Sequence, residues 1–142
     1  MSTTRKKLED AIVNYLNLDA TLTAQATPRN YWDQSTARGE KACWAQVVEP
    51  TNRCFGENGG GAVWQAEIRL CGQTLSNEDP DGSDLDIIIG RLLVFAAAVV
   101  TTPATLSVSG VTFHRWIQEP PEEQFADGVQ MRSINMLLHF EA

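Results

Sequence analysis

Length, composition and charge indicate one globular domain that does not bind polyanions. The chain has 142 residues, 43% hydrophobic and 20% charged, with a net charge of −7, which is typical of a single domain (1–142) with one core. A negative surface disfavours nucleic acid and anionic lipid, since both require clustered Lys and Arg. The longest apolar run, Leu92 to Val100, has nine residues and is shorter than the roughly 20 that cross a bilayer.

The first half of the chain predicts one helix and one hairpin. Ser2 begins a segment in which Leu8, Ile12 and Leu16 recur at helical spacing, and the helix is expected to end near Asn17. Residues 18–41 show no clear period and are interpreted as a loop with at most a short strand. Strands are expected over Cys43–Glu49 and Ala62–Cys71, joined by the glycine-rich loop TNRCFGENGGG.

The second half predicts a helix over Asp84–Val99 and strands over Ser107–Gln118 and Gln130–Glu141, with EPPEEQFADG as a linker. The order helix, strand, strand, helix, strand, strand predicts an α+β fold. Its mainly antiparallel sheet would have four to five strands, with two helices packed on it. In the first of these two strands, one face is expected to carry Val111, Phe113, Arg115 and Ile117, and the other Thr112, His114 and Trp116.

The helix over Asp84–Val99 is apolar nearly all round. One side carries Leu85, Ile88, Leu92, Phe95 and Val99, yet the opposite side is also apolar, which indicates burial on more than one side. In a domain this small, either the sheet curls over the far side of the helix or a neighbouring subunit covers it. We expect the neighbouring subunit, because an exposed apolar patch of this kind marks an interface. The residues expected at this subunit interface are Ile87, Arg91, Val94, Ala98 and Trp116.

The stretch NEDPDGSDLD, residues 77–86, holds five carboxylates and admits two interpretations. Asn77, Asp79, Asp81 and Gly82 match the first positions of an EF-hand calcium loop, but its twelfth position, a bidentate Glu, is Ile88 here. The alternative is a helix start, with a turn at Asp81 and Gly82, Ser83 as the cap and acids in the first turn. The second interpretation explains the same residues more simply.

No motif indicates catalysis or a cofactor. Cys43, Cys54 and Cys71 are odd in number, lack CxxC spacing and follow an N-terminus without a secretory signal, which favours a reducing compartment. No signature of a nucleophile surrounds them, and His114 and His139 have no spacing typical of a shared metal. We therefore expect no catalytic residue, no resident metal and no cofactor.

Four segments in order carry a resemblance to a known family: AVWQAEIRL, the acidic turn with DGSDLDIIIGRLLVF, then VTFHRW, and the closing ADGVQMRSINMLLHFEA. Together they resemble the tail terminator family of long-tailed bacteriophages, minor tail proteins similar to the lambda terminator. The resemblance covers roughly residues 62–142, with a compatible N-terminal helix. The chain departs from that pattern over 43–61, where its loop is glycine-rich, and at Pro120 and Pro121, so contacts facing the head or the tube are not transferred.

The resemblance implies a non-enzymatic protein of the virion tail, at the head-tail junction, assembled in the host cytoplasm. Such subunits form a hexameric ring on the last ring of tail tube protein, stop polymerisation and present a surface to the head connector. DNA passes through the lumen without specific binding. An acidic chain agrees with this role because like charges repel, and we expect an acidic loop to line the lumen.

Two alternatives remain open. One is a head completion or connector protein of the same virion. The other, from a different class, is a small metal-dependent enzyme or calcium-binding module that uses Asp79, Asp81 and Asp84.

Overall fold

The fold is α+β, with three α-helices on a mixed sheet of seven strands among residues 2–31, 40–52, 63–126 and 128–142, which the computed structural model describes. The predicted class and the mainly antiparallel pairing are confirmed, while one more helix and more strands are present than predicted. The helices are α1 (Ser2–Leu16), α2 (Ala20–Gln25) and α3 (Ser83–Thr101); the strands are β1 (Pro28–Asn30), β2 (Ala42–Val47), β3 (Thr51–Asn52), β4 (Val63–Leu75), β5 (Thr112–Gln118), β6 (Glu122–Ala126) and β7 (Val129–Glu141).

Two long strands, β4 and β7, form the centre of the sheet. They pair antiparallel over their whole length, from Val63 opposite Glu141 to Leu75 opposite Val129. The sheet order is β1-β2-β4-β7-β5, with β3 also on β4 and β6 also on β7, and only β1 and β2 are parallel. Because side chains alternate along a strand, one face of β4 and β7 is buried, and that core face carries Ala66, Ile68, Leu70, Ile134, Met136, Leu138 and Phe140.

Helices α1 and α3 both cover this core face. Helix α1 buries Leu8, Ile12 and Leu16 in the core, at the predicted helical spacing. The helix ends at Leu16, one residue before the predicted end. Helix α3 runs slightly longer than predicted at both ends. Among the described residues, no helix combines the length and apolarity needed to span a membrane.

A buried carboxylate fixes α1 to the sheet. Glu9 accepts the backbone N–H of Val47 on Oε2 at 3.0 Å and that of Tyr31 on Oε1 at 3.2 Å, while Arg5 lies 3.5 Å from Oε2. Both N–H groups lie at the ends of short strand segments, where the strand ladder stops. Glu9 therefore satisfies two backbone donors at the points where strand pairing ends.

Helix α2 lies in the segment predicted as a loop. Its six residues, ATLTAQ, bury only Leu22, and its start is capped by Asp19, whose side chain accepts the Leu22 N–H at 3.0 Å. A helix this short depends on its cap and on tertiary contacts rather than on an apolar stripe. The short strand allowed for in the same segment is β1.

The predicted alternation of β5 is wrong because the strand contains a bulge. Phe113 lies opposite Phe140 and Arg115 opposite His139, so His114 is an extra residue between them. The bulge places Phe113 and Trp116 together on the core face, with ring centroids 5.7 Å apart. Trp116 and Phe113 therefore share a face instead of lying on opposite ones.

Part of the predicted linker is a strand. β6 forms a tight hairpin with β7, with Ala126 opposite Val129. Gly128 adopts a positive φ of 74° in this turn, a conformation that glycine reaches without strain.

Candidate interaction surfaces

The outward side of α3 is exposed and apolar in the single chain. Val94 is 51% exposed and Ile87 38%, although large aliphatic side chains are usually buried. The remaining exposed large apolar side chains in the described residues are Leu93, Val100 and Leu18. We define the outer face of α3 as Ile87, Gly90, Arg91, Leu93, Val94, Ala97, Ala98 and Val100.

A groove of about 410 Å³ runs between the outer face and the turn from α1 to α2. Three of the residues predicted for the interface, Arg91, Val94 and Ala98, line it. Leu18, 81% exposed, projects at its opposite wall. The groove is therefore an apolar concavity with an apolar side chain beside it.

An ion pair inside this groove connects α3 to α2. Arg91 donates from Nε to Asp19 Oδ2 at 2.7 Å. Burial raises the pKa of Asp19, but hydrogen bonds from the Leu22 backbone and from Arg91 lower it more, so the net pKa lies below its ordinary value. The pair places one fixed guanidinium on an otherwise apolar surface.

Trp116, the fifth residue predicted for the interface, lies in the core. It is 3% exposed and packs edge-on against Phe95, with centroids 6.3 Å apart. The sequence pattern assigned it to the wrong face because the bulge in β5 was not visible there. The candidate interface therefore retains Ile87, Arg91, Val94 and Ala98 and excludes Trp116.

The start of α3 is capped by Asp79, and not by Ser83 as predicted. Asp79 is buried; Oδ1 accepts the Asp84 N–H and Oδ2 the Leu85 N–H, each at 3.0 Å, and Thr74 donates its hydroxyl to Oδ2 at 2.9 Å. Burial raises the pKa of Asp79, but these hydrogen bonds lower it more, and the net pKa is depressed. Asp79 thus satisfies the first turn of α3 and meets its positive dipole end.

Three of the other four acids of the stretch, Asp81, Asp84 and Asp86, also have partners within the chain. Asp81 accepts both the backbone N–H and the hydroxyl of Ser83, which lower its pKa. Asp84 lies 3.3 Å from Lys41 Nζ, and Asp86 pairs with Arg132 of β7.

The carboxylates of this stretch therefore point to separate partners. Asp79, Asp81 and Asp84, the residues of the metal-site alternative, do not form one ligand group. Across the described ranges, no three His, Cys, Asp or Glu side chains are grouped as a metal site requires.

Two buried thiols lie on opposite faces of the sheet. Burial raises the pKa of Cys43 to about 12, and it raises the pKa of Cys71 to about 12 against the attraction of Arg69. A buried thiol of this kind is inert. Cys54 lies outside the described residues, as do Trp32 and the loop GENGGG.

The two histidines form separate hydrogen-bonded pairs near the end of β7. Arg115 donates from Nε to His139 Nδ1 at 3.2 Å, and His139 Nε2 lies 3.0 Å from Gln65 Oε1. His114 lies 3.2 Å from Glu141. His139 points away from the core face, since its neighbours Leu138 and Phe140 are buried in the core.

The side of the sheet opposite α1 and α3, which carries no helix within the described residues, is a second candidate surface that the sequence did not indicate. We call it the open face: a concavity of about 550 Å³ with Trp44, Cys71 and Met131 on its floor. Glu67, Arg69 and Glu122 lie at its rim. Asn135, in the same concavity, is only 8% exposed, and its Oδ1 has no hydrogen-bond partner among the described residues.

Comparison of the chain with protein-family models and with curated proteins finds no match.

Proposed function

We propose that this protein is a structural component of a bacteriophage tail that assembles as a closed ring, expected to be hexameric from its resemblance to tail terminators. The ring would sit on the last ring of tail tube protein, end tube growth and offer a surface to the head connector. It is a virion protein without catalytic activity, and DNA passes through its lumen.

The observation that carries this proposal is the outer face of α3. The helix buries one complete side in the core, yet it leaves Ile87, Leu93, Val94 and Val100 in contact with water. Contiguous exposed apolar side chains on a helix of a soluble domain mark an interaction surface. Helical periodicity alone predicted that one side of this helix faces the core and that the opposite side is available to a neighbouring subunit.

The distribution of charge is compatible with a DNA-conducting channel. The chain carries a net charge of −7, and the acids at the start of α3 are compensated locally by the helix, by Lys41 and by Arg132. A chain with this net negative charge repels a polyanion such as DNA and does not retain it.

Assembly of the purified chain tests the proposal directly. We expect native mass spectrometry and negative-stain microscopy to show closed rings, alone or at the ends of purified tail tubes. Val94→Asp should abolish assembly, because it places a charge in an apolar contact, while leaving the thermal midpoint of the monomer nearly unchanged. Ser107→Asp, at an exposed serine that is not part of the outer face, is the matched control. A chain that stays monomeric and never binds tubes would contradict the proposal.

Deletion of the gene in its phage separates the two virion roles. Loss of a terminator should give overlong tails on detached particles, because nothing stops tube growth. Loss of a head completion or connector protein should instead leave tails of normal length without heads. Tails of normal length would therefore favour the role of head completion or connector protein over that of tail terminator.

A further inference from the structure

We propose that two copies of the free chain pair through the outer face of α3, with the two α3 helices antiparallel about a two-fold axis. The inference goes beyond the proposed ring, because a two-fold contact is complete with two copies and adds no third. It concerns the subunit away from a tail tube.

The exposed positions in the middle of the outer face recur in alternating steps of three and four residues. We call this series the seam: Ser83, Ile87, Gly90, Val94, Ala97 and Thr101, all exposed. A repeat of 3.5 residues is the spacing by which one helix packs along another. The seam therefore indicates a helix as the element that covers it.

Gly90, in the middle of the seam, is not explained by contacts within the chain. A Cβ atom there meets nothing within 4 Å among the described residues, and Gly90 is not one of the glycines with a positive φ. Glycine inside a helix is less favourable than alanine. A backbone that must be approached closely is the remaining reason for a glycine, and the approaching group then comes from outside the chain.

The alternation of large and small residues along the seam favours a second copy as its occupant. Ile87 and Val94 are large, while Gly90 and Ala97 are small. In one antiparallel register, Ile87 lies opposite Ala97 of the second copy and Val94 lies opposite its Gly90. The two-fold axis repeats both contacts, so every large side chain meets a small residue.

Parallel pairing lacks this fit. It places Val94 against Val94 and Gly90 against Gly90, so that crowding alternates with empty space, which close-packed contacts avoid. The antiparallel register also places Ser83 opposite Thr101 at both ends, where polar side chains can stay hydrated. There the positive end of each helix lies beside the negative end of the other, and the two ends attract.

The charges that border the seam do not oppose contact of two identical faces. Arg91 pairs with Asp19 at 2.7 Å on one border, and Asp86 pairs with Arg132 on the other. A two-fold contact brings charges near their own copies, and like charges repel. Because both ion pairs are neutral, the outer face can meet its own copy without an uncompensated charge.

One contact of this kind accounts for every exposed large apolar side chain among the described residues. Val94 and Ile87 lie on the seam, Leu93 and Val100 on the border that carries Asp86.

The fifth such side chain, Leu18, lies on the other border. It lines the groove beside Arg91 and Ala98 and is 81% exposed. The apolar surface therefore extends to both sides of the seam, as a second helix laid along it requires.

Cysteine variants test the antiparallel register. In a Cys54→Ser background, chains with Ile87→Cys are mixed with chains with Ala97→Cys, oxidised, and mapped by peptide mass spectrometry. We expect the two kinds of chain to link to each other. Ile87→Cys chains alone should link little, because antiparallel pairing separates their thiols by about 15 Å along the helix, too far for a disulfide. Ser109→Cys, on an exposed loop, replaces Ala97→Cys in the control and should give no link.

The affinity of the pair tests the close approach at Gly90. In sedimentation velocity, Gly90→Ala should raise the dissociation constant about tenfold or more, because the added methyl group displaces Val94 of the second copy. Asn14→Ala, at an exposed helical position outside the outer face, also favours a helix and should leave the constant unchanged. Equally tight pairing by folded Gly90→Ala would contradict the inference.

The outcomes separate this inference from the proposed function. A free chain that is monomeric at every concentration but binds tube ends would overturn the inference and support the proposed function. Rings in which Ile87→Cys and Ala97→Cys do not link would do the same. Preferred links between two Ile87→Cys chains would show parallel pairing and also overturn the inference. Correctly linked pairs from a chain that never assembles on tail tubes would support the inference and contradict the proposed function.

Discussion

Gly72 of β4 lies directly beneath Ile88 of α3. A Cβ atom at residue 72 would be 2.6 Å from Ile88 Cγ2, closer than real Cβ atoms approach, so only a glycine allows the helix to rest on the sheet here. Gly72→Ala should lower the free energy of unfolding by about 1–3 kcal/mol through overpacking. Urea unfolding followed by tryptophan fluorescence measures the change.

Gly90 is the matched control for Gly72. It is exposed in the middle of α3, and a Cβ there meets nothing within 4 Å. Gly90→Ala should therefore raise the free energy of unfolding of the monomer by about 0.5–1 kcal/mol, because alanine favours the helix. Equal costs for the two substitutions would contradict the close contact of Gly72 with Ile88.

Asp79 should contribute strongly to the stability of the chain. Asp79→Ala removes the acceptor of the Asp84 and Leu85 N–H groups and of the Thr74 hydroxyl, and should cost about 1–3 kcal/mol of unfolding free energy. The measurement is the urea midpoint and slope. Asp81→Ala, an exposed carboxylate of the same stretch, should leave the midpoint close to that of the unmodified chain.

Calorimetry with Ca²⁺ tests whether the same stretch binds a cation. If Asp79 and Asp81 act within the chain as described, 1:1 binding of Ca²⁺ should not be seen by calorimetry with the unmodified protein. Tight binding abolished by Asp81→Ala would instead support the calcium-binding alternative.

Acid should destabilise the protein through Asp79. Its folded pKa lies below the value of about 3.9 for an unfolded Asp, so its contribution is complete above that value and is lost as the pH falls through the folded pKa. We expect the thermal midpoint to fall steadily below about pH 4. Asp79→Asn should flatten this part of the curve, and an unchanged slope would contradict the assignment.

Replacement of either carboxylate oxygen of Glu9 should lower the free energy of unfolding, because both oxygens accept backbone N–H groups. Glu9→Gln keeps one acceptor but turns an NH₂ group toward a backbone N–H of Val47 or Tyr31, and should cost about 1–3 kcal/mol. Lys6→Ala, which removes an exposed pair with Asp10, should cost at most about 1 kcal/mol. Chemical unfolding of both variants decides; a cost for Lys6→Ala equal to that of Glu9→Gln would count against the buried role of Glu9.

The described thiols should resist alkylation in the native state. With a pKa of about 12 for both Cys43 and Cys71, about one molecule in ten thousand carries a given thiolate at pH 8. In a Cys54→Ser chain, intact mass after iodoacetamide should show no adduct in buffer and two adducts in denaturant. Fast labelling of the folded chain would contradict the burial of these side chains.

Periodicity was sufficient for the elements that carry many core residues. Helices α1 and α3 and strands β4 and β7 each repeat buried side chains at their own period, and the outer face of α3 was identified by the same reasoning. A local sequence pattern does not contain contacts between residues that are far apart in the chain. Helix α2 depends on the pair between Arg91 and Asp19, residues 72 apart in sequence, which no local window contains.

Irregular backbone explains the other differences. A bulge adds one residue without changing composition, so alternation counted through β5 placed Trp116 on the wrong face. β6 pairs only with β7, and its acidic, proline-preceded sequence is typical of a loop. The cap of α3 was assigned to Ser83 because local rules favour the nearest polar residue, whereas Asp79 reaches the helix from an earlier turn.

The bulge in β5 also affects how the protein behaves when it is concentrated. β5 lies at the edge of the sheet, where unpaired backbone groups invite strands from other molecules. The extra residue disturbs the spacing of those groups, and Pro120 and Pro121, just beyond the strand, lack N–H donors. Amyloid-like growth along this edge is therefore disfavoured, and concentrated solutions should not deposit fibrils.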